Sequence, residues 1–134
     1  RDRGIAVNTN EGLIVPVIKD ANNLNIGQIA LEIKALSDKA KNKKLFTKDL
    51  SGGTFTISSL GGIGGTGFTP IINPPEVGIM GVSKTKIQLS LIEDKIVEKT
   101  LLPFSVSYDH RIINGVDAGN FVNFIKETLE KGIT

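Results

Sequence analysis

Apolar residues recur every three or four positions in two stretches of the chain, and this spacing predicts two amphipathic helices. The first helix begins after Asn25, with Gln28 three residues later in a variant of the capping box. Its apolar positions are Ile26, Ile29, Ala30, Ile33, Leu36 and Ala40. The second helix begins at Gly115 or Asp117 and stops at Gly132, a residue type that commonly ends helices. Its apolar face consists of Ala118, Phe121, Val122, Ile125 and Leu129.

Stretches rich in β-branched residues predict seven strands. Two open the chain, at residues 4–7 and 13–19, and turn-forming residues between them indicate a hairpin. Five more follow the first helix, at residues 53–60, 77–83, 86–92, 96–99 and 101–107, with a turn at 93–95. The order β-β-α-β-β-β-β-β-α contains no internal repeat and no flexible linker. It predicts one α/β domain over residues 1–134, in which helices pack on a mixed sheet.

A glycine-rich loop at residues 61–67 follows the strand at 53–60. Its glycines at positions 62, 64 and 67 formally match the dinucleotide-binding fingerprint, but that motif requires a helix to begin inside it. Prolines at positions 70, 74 and 75 forbid a regular helix here. We therefore reject a dinucleotide-binding fold. We expect instead an irregular connection, in which the glycines allow the backbone to lie close to neighbouring atoms.

Composition and charge exclude several classes of protein. The 134 residues contain no Cys and one His, which excludes disulfide scaffolds, thiol nucleophiles and multi-histidine metal sites. A net charge of +2 is too small an excess of positive charge to bind the phosphate backbone of nucleic acid, so we expect no nucleic-acid partner. No apolar run is long enough to span a bilayer, and the N-terminus resembles no signal or transit peptide. We expect a soluble, intracellular chain without a membrane partner and, because it starts at Arg1, a piece of a longer protein.

The residues that carry candidate chemistry stand at strand ends. His110 follows the strand at 101–107, where it would face a cleft, although a structural histidine is the more frequent outcome at such a place. Ser58 and Ser59 end another strand, where hydroxyls commonly cap a turn. Lysines close the first helix at positions 39, 41, 43 and 44. They are either a solvated helix end or a phosphate-binding patch.

Two blocks carry a family resemblance. The sequence Ser-Tyr-Asp-His-Arg-Ile-Ile-Asn-Gly at 107–115 resembles the D-H-R-x-x-[D/N]-G signature of the 2-oxo acid dehydrogenase acyltransferases. Further blocks agree in order at residues 12–17, 43–45, 53–61, 68–77 and 81–83. The resemblance implies the fold of chloramphenicol acetyltransferase. Ser58-Ser59 and the Phe-Thr-Pro-Ile block at 68–71 are most similar to the acetyl-transferring members, from the pyruvate dehydrogenase complex.

The resemblance implies a catalytic role for three residues. His110 matches the general base that takes the proton of the coenzyme A thiol, so that the thiolate attacks the acyl thioester of dihydrolipoamide. Ser58 matches the serine whose hydroxyl donates to the oxyanion of the tetrahedral intermediate. Asn114 matches a position that is Asp or Asn in the family, where its amide orients neighbouring side chains. Transfer is direct between two thiols, so no acyl-enzyme is expected.

Other positions are implied in supporting roles. Asp109 and Arg111 flank the histidine and are expected to form a charge pair that fixes the local turn. Asn8 stands where several relatives carry Asp, a departure that weakens charge-based support for the site. The substrate and coenzyme A channel is expected to include Ser59, Thr69, Pro70 and Ile71.

The resemblance also implies partners. We expect coenzyme A as a substrate and a lipoyl group, carried on another domain, as the acyl carrier. We expect a homotrimer that assembles into a larger core, and contact with the E1 and E3 components through further domains. The matched blocks correspond to the C-terminal part of the family's catalytic domain. We expect the bacterial cytoplasm, with the mitochondrial matrix as the alternative. Two other interpretations stay open: a non-catalytic scaffold fragment of the core, and a relative specific for succinyl or branched-chain acyl groups.

Overall fold

The computed structural model describes residues 1–60 and 67–132. The helices are α1 (Ile26–Lys41) and α2 (Gly115–Lys131), with short 3₁₀ turns at Ala21–Asn23 and Thr47–Asp49. The strands are β1 (Arg3–Ile5), β2 (Val7–Thr9), β3 (Gly12–Ile14), β4 (Val17–Ile18), β5 (Phe55–Ser59), β6 (Gly78–Val82), β7 (Lys86–Ile92), β8 (Lys95–Leu101) and β9 (Phe104–Tyr108). The glycine-rich loop predicted at 61–67 lies outside the described residues except for Gly67.

Five of the strands form a mixed sheet in the order β4-β1-β5-β6-β9. The central strands β1, β5 and β6 are parallel, whereas β4 and β9 pair antiparallel at the two edges. Two separate hairpins, β2–β3 and β7–β8, complete the described strands. The prediction of a mixed α/β sheet is therefore confirmed.

The pairing register gives the sheet two chemically different faces. Residues that pair in register point to the same side, and the side alternates along each strand. One side, which we call the hydroxyl face, carries Thr56, Ser58, Gly81, Ser105 and Ser107. The opposite side carries Phe55, Met80, Val106 and Tyr108, and we call it the apolar face.

Helix α2 covers the apolar face. The ring of Phe121 packs edge-on against the ring of Phe55, with ring centroids 5.6 Å apart, and Ala118 of the same helix is buried. Gly78 leaves room for this contact, since a Cβ at that position would come within 3.0 Å of the Phe55 ring. The packing confirms the predicted apolar side of the second helix at these positions.

The first helix forms as predicted but buries less than expected. The side chain of Asn25 accepts from the Gln28 N–H and the Gln28 side chain accepts from the Asn25 N–H, which completes the capping box. Leu36 and Ala40 are its buried residues. Ile26 is 60% exposed and Ile29 is half-buried, so the expected apolar stripe is buried best toward the C-terminal end of α1.

Three strand predictions were wrong, and proline is the reason for two of them. The predicted strand at 13–19 splits into β3 and β4 around Pro16, and the predicted strand at 101–107 begins only after Pro103. Proline has no N–H to donate to a ladder and is confined to the ends of strands. The first predicted strand also divides, because the Ala6 N–H donates to Ile57 O at 3.0 Å while β2 turns to pair with β3.

The β7–β8 hairpin extends from the sheet as an exposed arm. Glu93 and Asp94 have positive φ angles of 49° and 63° in its two-residue turn, as the tightest hairpin turns require. The turn predicted at 93–95 is thus confirmed. None of the helices in the described ranges is long and apolar enough to cross a membrane.

Candidate active site

His110 lies in a turn between β9 and α2 that is fixed by its neighbours. The Arg111 guanidinium donates to both carboxylate oxygens of Asp109, at 3.0 and 2.8 Å, and the Arg111 N–H donates to Asp109 Oδ1 at 3.0 Å. The Asp109 N–H donates to Val77 O at 2.8 Å, which joins the turn to the start of β6. The charge pair expected from the sequence is therefore confirmed.

The ion pair also shifts the pKa values of both its members, Asp109 and Arg111. Hydrogen bonds from the Arg111 side chain and then from its N–H lower the pKa of Asp109 to about 2. The same hydrogen bond raises the pKa of Arg111 above its usual value. Both groups are charged throughout the physiological pH range, and the carboxylate is committed to the guanidinium.

The imidazole of His110 is exposed at the edge of this turn. Its ring lies 5.6 Å, centroid to centroid, from the ring of Tyr108 on the apolar face. Asn114 begins α2 as its N-cap: its side-chain oxygen accepts from the Asp117 N–H at 2.8 Å. An imidazole in this position can reach a ligand that approaches from outside the chain.

Ser58 lies at the other end of the sheet, near the end of β5 and on the hydroxyl face. It pairs with Gly81, which in turn pairs with Ser105, so the three form one row across the sheet. The residue is half-buried. Within residues 1–60 and 67–132, its hydroxyl has no hydrogen-bond partner.

The segment at 67–71 runs along β9 over the hydroxyl face. Ser105 Oγ donates to Phe68 O at 2.5 Å, and Ser107 Oγ donates to Pro70 O at 2.7 Å. The Phe68 ring occupies the space above Gly81, where a Cβ would come within 2.6 Å of it. The hydroxyls of Ser105 and Ser107, and the lack of a side chain at Gly81, thus fix the path of this segment. It runs beside the row of residues that contains Ser58.

The four predicted channel residues differ in their surroundings. Within the segment Pro70 is buried, whereas Thr69 is exposed and Ile71 is 88% exposed. Ser59 is exposed at the end of β5. Thr69 and Ile71 are thus the predicted channel residues that the segment exposes, whereas Ser59 lies on the opposite face of the sheet from Ser58.

The predicted site residues form two separate groups. Ser58 and Tyr108 are separated by three residues along the strands and two strand spacings across them, about 10 Å in each direction. His110 lies beyond Tyr108 in a turn that leads to the apolar face, whereas Ser58 lies on the hydroxyl face. Asn8, exposed in the β2–β3 hairpin, follows β1 toward the Ser58 end. One chain therefore does not bring Ser58 and His110 within reach of the same atom.

The predicted phosphate patch contains an ion pair. Lys43 Nζ lies 2.6 Å from Glu11 Oε1, so this lysine is neutralised by the β2–β3 hairpin. A cavity of about 280 Å³ lies between that hairpin and the end of α1. The pairing favours the structural interpretation of the lysine cluster.

Sequence reasoning missed several residues that shape the site. Thr56, which is fully buried, donates to Glu76 Oε1 at 2.6 Å, and neither residue was predicted to take part. Ser105 and Ser107 were also missed, although two hydroxyls at alternate positions of an apolar strand are a signal that one face is polar. Asn114 could have been predicted as an N-cap from Asp117 three residues later.

These features define an α/β protein with a mixed sheet, a histidine in a D-H-R turn at one sheet end and a serine hydroxyl at the other. The model of the 2-oxoacid dehydrogenases acyltransferase family (catalytic domain) matches residues 2–134, and the chain belongs to this family. The fold inferred from the resemblance is confirmed by solved relatives. A dihydrolipoamide acetyltransferase from Azotobacter vinelandii is 45% identical, with a TM-score of 0.89 over 94% of this chain and 52% of that chain.

That Azotobacter structure was determined to examine the roles of a serine, a histidine and an asparagine in the catalytic mechanism. A second solved relative is the cubic core of the pyruvate dehydrogenase multienzyme complex. It is 48% identical, with a TM-score of 0.86 over 91% of this chain and 50% of that chain.

Curated relatives agree on the family and differ in the acyl group. The dihydrolipoyllysine-residue acetyltransferase component of the pyruvate dehydrogenase complex of Buchnera aphidicola is 50% identical over 126 residues, which cover 94% of this chain and 32% of that protein. The dihydrolipoyllysine-residue succinyltransferase component of the 2-oxoglutarate dehydrogenase complex of Rickettsia bellii is 46% identical over 129 residues, 96% of this chain and 32% of that protein. The chain spans about a third of these relatives and about half of the solved chains.

Proposed function

We propose that the protein transfers an acetyl group between dihydrolipoamide and coenzyme A. In the direction of acetyl-coenzyme A synthesis, the coenzyme A sulfur attacks the carbonyl carbon of acetyl-dihydrolipoamide while its proton passes to an imidazole nitrogen of His110. The tetrahedral intermediate collapses, the bond to the lipoamide sulfur breaks, and that sulfur takes the proton back. No external oxidant or reductant is needed, and no acyl-enzyme forms.

The observation that carries this proposal is a shared residue spacing. In the Azotobacter enzyme the asparagine follows the investigated histidine by 4 residues and the serine precedes it by 52, the spacings that separate Ser58, His110 and Asn114 in this chain. The structural match spans both regions of the sheet. This agreement supports the assignment of the same three roles here.

The geometry of each residue fits its role. The exposed imidazole of His110 is the side chain best matched to take a thiol proton near neutral pH. The Asp109 carboxylate beside it is held by Arg111 and so stabilises the turn without competing for the proton. The hydroxyl of Ser58 can donate to the oxyanion, a contribution whose loss typically costs about 10²–10³-fold in kcat. Asn114 fixes the start of α2 directly after the histidine.

The separation of Ser58 from His110 supports a site shared between two copies of the chain. A general base and an oxyanion donor must both lie within about 3 Å of the reacting group. Since one chain places them on different faces and at different ends of the sheet, His110 of one copy would act with Ser58 of another. This supports a closed oligomer, for which we propose the trimer, and the cubic core of a relative supports assembly into a larger core.

The proposal implies partners that the full reaction requires. Coenzyme A and a lipoyl group are the two thiol substrates, and the exposed Thr69 and Ile71 are proposed to contact them. Lipoyl domains, and the E1 and E3 components that load and reoxidise the carrier, are proposed as partners of the assembled protein. We also propose a bacterial cytoplasmic location for the protein.

A subunit-mixing experiment tests the shared site. Ser58→Ala and His110→Ala are each assayed alone for acetyl transfer from acetyl-coenzyme A to dihydrolipoamide, and then after co-assembly at equal amounts. Each variant alone should lose at least about 100-fold in kcat. Random mixing restores an intact pair in about a quarter of the sites, so co-assembly should recover about a quarter of the parent activity.

The controls separate the alternatives. Mixing two preparations of Ser58→Ala should recover nothing. No recovery from the two different variants would show that serine and histidine act within one chain. An inactive but folded and assembled parent would favour the scaffold interpretation. Because one relative is a succinyltransferase, a panel of acetyl, succinyl and branched-chain donors decides the acyl specificity.

A further inference from the structure

The hydrogen bond between Thr56 and Glu76 takes no direct part in the chemistry described above. Thr56 is 0% exposed, and its hydroxyl donates to Glu76 Oε1 at 2.6 Å. The other carboxylate oxygen, Oε2, lies 3.0 Å from where a Cβ on Gly53 would be, so the carboxylate lies close against the chain there. A carboxylate that gives up part of its hydration needs a compensating hydrogen bond, and Thr56 provides it. The Glu76 side chain is therefore held in one place.

Glu76 is joined to both regions of the site through its own backbone and that of its neighbour. Its N–H donates to Asn73 O at 3.0 Å, which closes the turn at the end of the segment over the hydroxyl face. The carbonyl of the next residue, Val77, accepts from the Asp109 N–H at 2.8 Å, directly before His110. Thr56 lies two residues before Ser58 on the same face of β5. One side-chain contact thus connects the strand of the serine with the turn of the histidine.

We propose that Glu76 is a positioning residue for acyl transfer, which fixes the turn of His110 relative to β5 through its hydrogen bond with Thr56. The proposal rests on the proposed function. Without this bond the turn at 73–76 loses its side-chain hydrogen bond to β5, and the Val77 carbonyl that accepts from the Asp109 N–H is held less firmly relative to that strand. Small displacements of a catalytic group are costly, because proton transfer requires the acid and base within hydrogen-bond reach.

The test compares variants of the intact, assembled protein by steady-state kinetics. Glu76→Ala and Thr56→Val each remove the hydrogen bond, and each should lower kcat about tenfold with a KM for coenzyme A within about twofold of the parent. The double variant should be no worse than either single variant, since both remove the same contact. Glu76→Gln keeps an oxygen that accepts from Thr56 and should retain kcat within about twofold.

Hydrogen exchange gives a second readout that does not depend on activity. The Asp109 amide donates to Val77 O, so its exchange rate should rise at least about fivefold in Glu76→Ala and stay at the parent rate in Glu76→Gln. Asn25→Ala, which removes the cap of α1 far from the site, serves as the control for lowered stability. It should reduce Tm without changing kcat or the exchange of the Asp109 amide.

The outcomes separate the two proposals. An inactive parent would overturn the proposed function, while the exchange data would still decide whether Glu76 fixes the turn. An active parent with unchanged kcat in Glu76→Ala and Thr56→Val would overturn the positioning role. So would an equal loss of kcat in Asn25→Ala, because the effect would then follow stability alone.

Discussion

At the scale of single residues, the turn that carries His110 depends on one ion pair. Asp109 and Arg111 stand on either side of the histidine, and three hydrogen bonds join them. The short spacing made this pair predictable from the sequence. Both carboxylate oxygens of Asp109 accept from the Arg111 guanidinium.

Acid titration should report this pair directly. The folded-state pKa of Asp109, about 2, lies below the value of about 3.9 expected in an unfolded chain. The pair therefore contributes stability above about pH 4, and the contribution is lost as the pH falls to about 2. NMR titration of the Asp109 carboxyl carbon should give a midpoint of about 2. Arg111→Gln should return the midpoint toward 3.8, whereas Lys34→Gln, in a separate ion pair with Asp38, should not move it.

At the scale of elements, local signals set the helices and proline sets the strand limits. Both helices begin at an asparagine whose side chain accepts from the backbone N–H three residues later. Such contacts are local in sequence, which is why the start of α1 was predictable to the residue. Pro16 and Pro103 also indicate strand limits in the sequence. The β-branched residues around them were the stronger signal, so the strands were predicted longer than they are.

The two caps should have equal effects on stability and unequal effects on activity. Asn25→Ala and Asn114→Ala should each lower the free energy of unfolding by about 1 kcal/mol, measured by urea denaturation. Only Asn114→Ala should reduce acetyl transfer, because α2 begins directly after the His110 turn. Asn114→Asp keeps a good N-cap and should retain the stability of the parent. Equal activity of the two alanine variants would remove Asn114 from the site.

At the scale of the whole molecule, the sheet separates packing from chemistry. Its apolar face is covered by α2 through the contact of Phe55 with Phe121. Its hydroxyl face is crossed by an irregular segment that strand hydroxyls hold in place. Ser58 therefore lies beside the segment at 67–71 and His110 lies at the opposite end of the sheet, as the proposed site shared between copies requires.

Two glycine substitutions should distinguish tertiary packing from local preference. Gly81→Ala places a Cβ 2.6 Å from the Phe68 ring and should lower the free energy of unfolding by about 1–3 kcal/mol. It should also reduce activity, because the displaced ring lies beside the row of Ser58. Gly119→Ala in α2 meets nothing within 4 Å and should raise stability by about 0.5–1 kcal/mol. A neutral Gly81→Ala would contradict the close packing of Phe68.

The sequence by itself determined the features that depend on neighbouring residues. Periodicity and the Asn25 cap gave the helices, turn residues gave the β7–β8 hairpin, and the D-H-R block at His110 gave the family. Only the tertiary structure decided which strands pair, which face Ser58 occupies, and that Glu76 reaches Thr56 across 20 residues. These depend on register between distant strands, where a shift of one residue reverses every side chain. For the same reason, the distance between Ser58 and His110 became visible only when β5, β6 and β9 were seen in register.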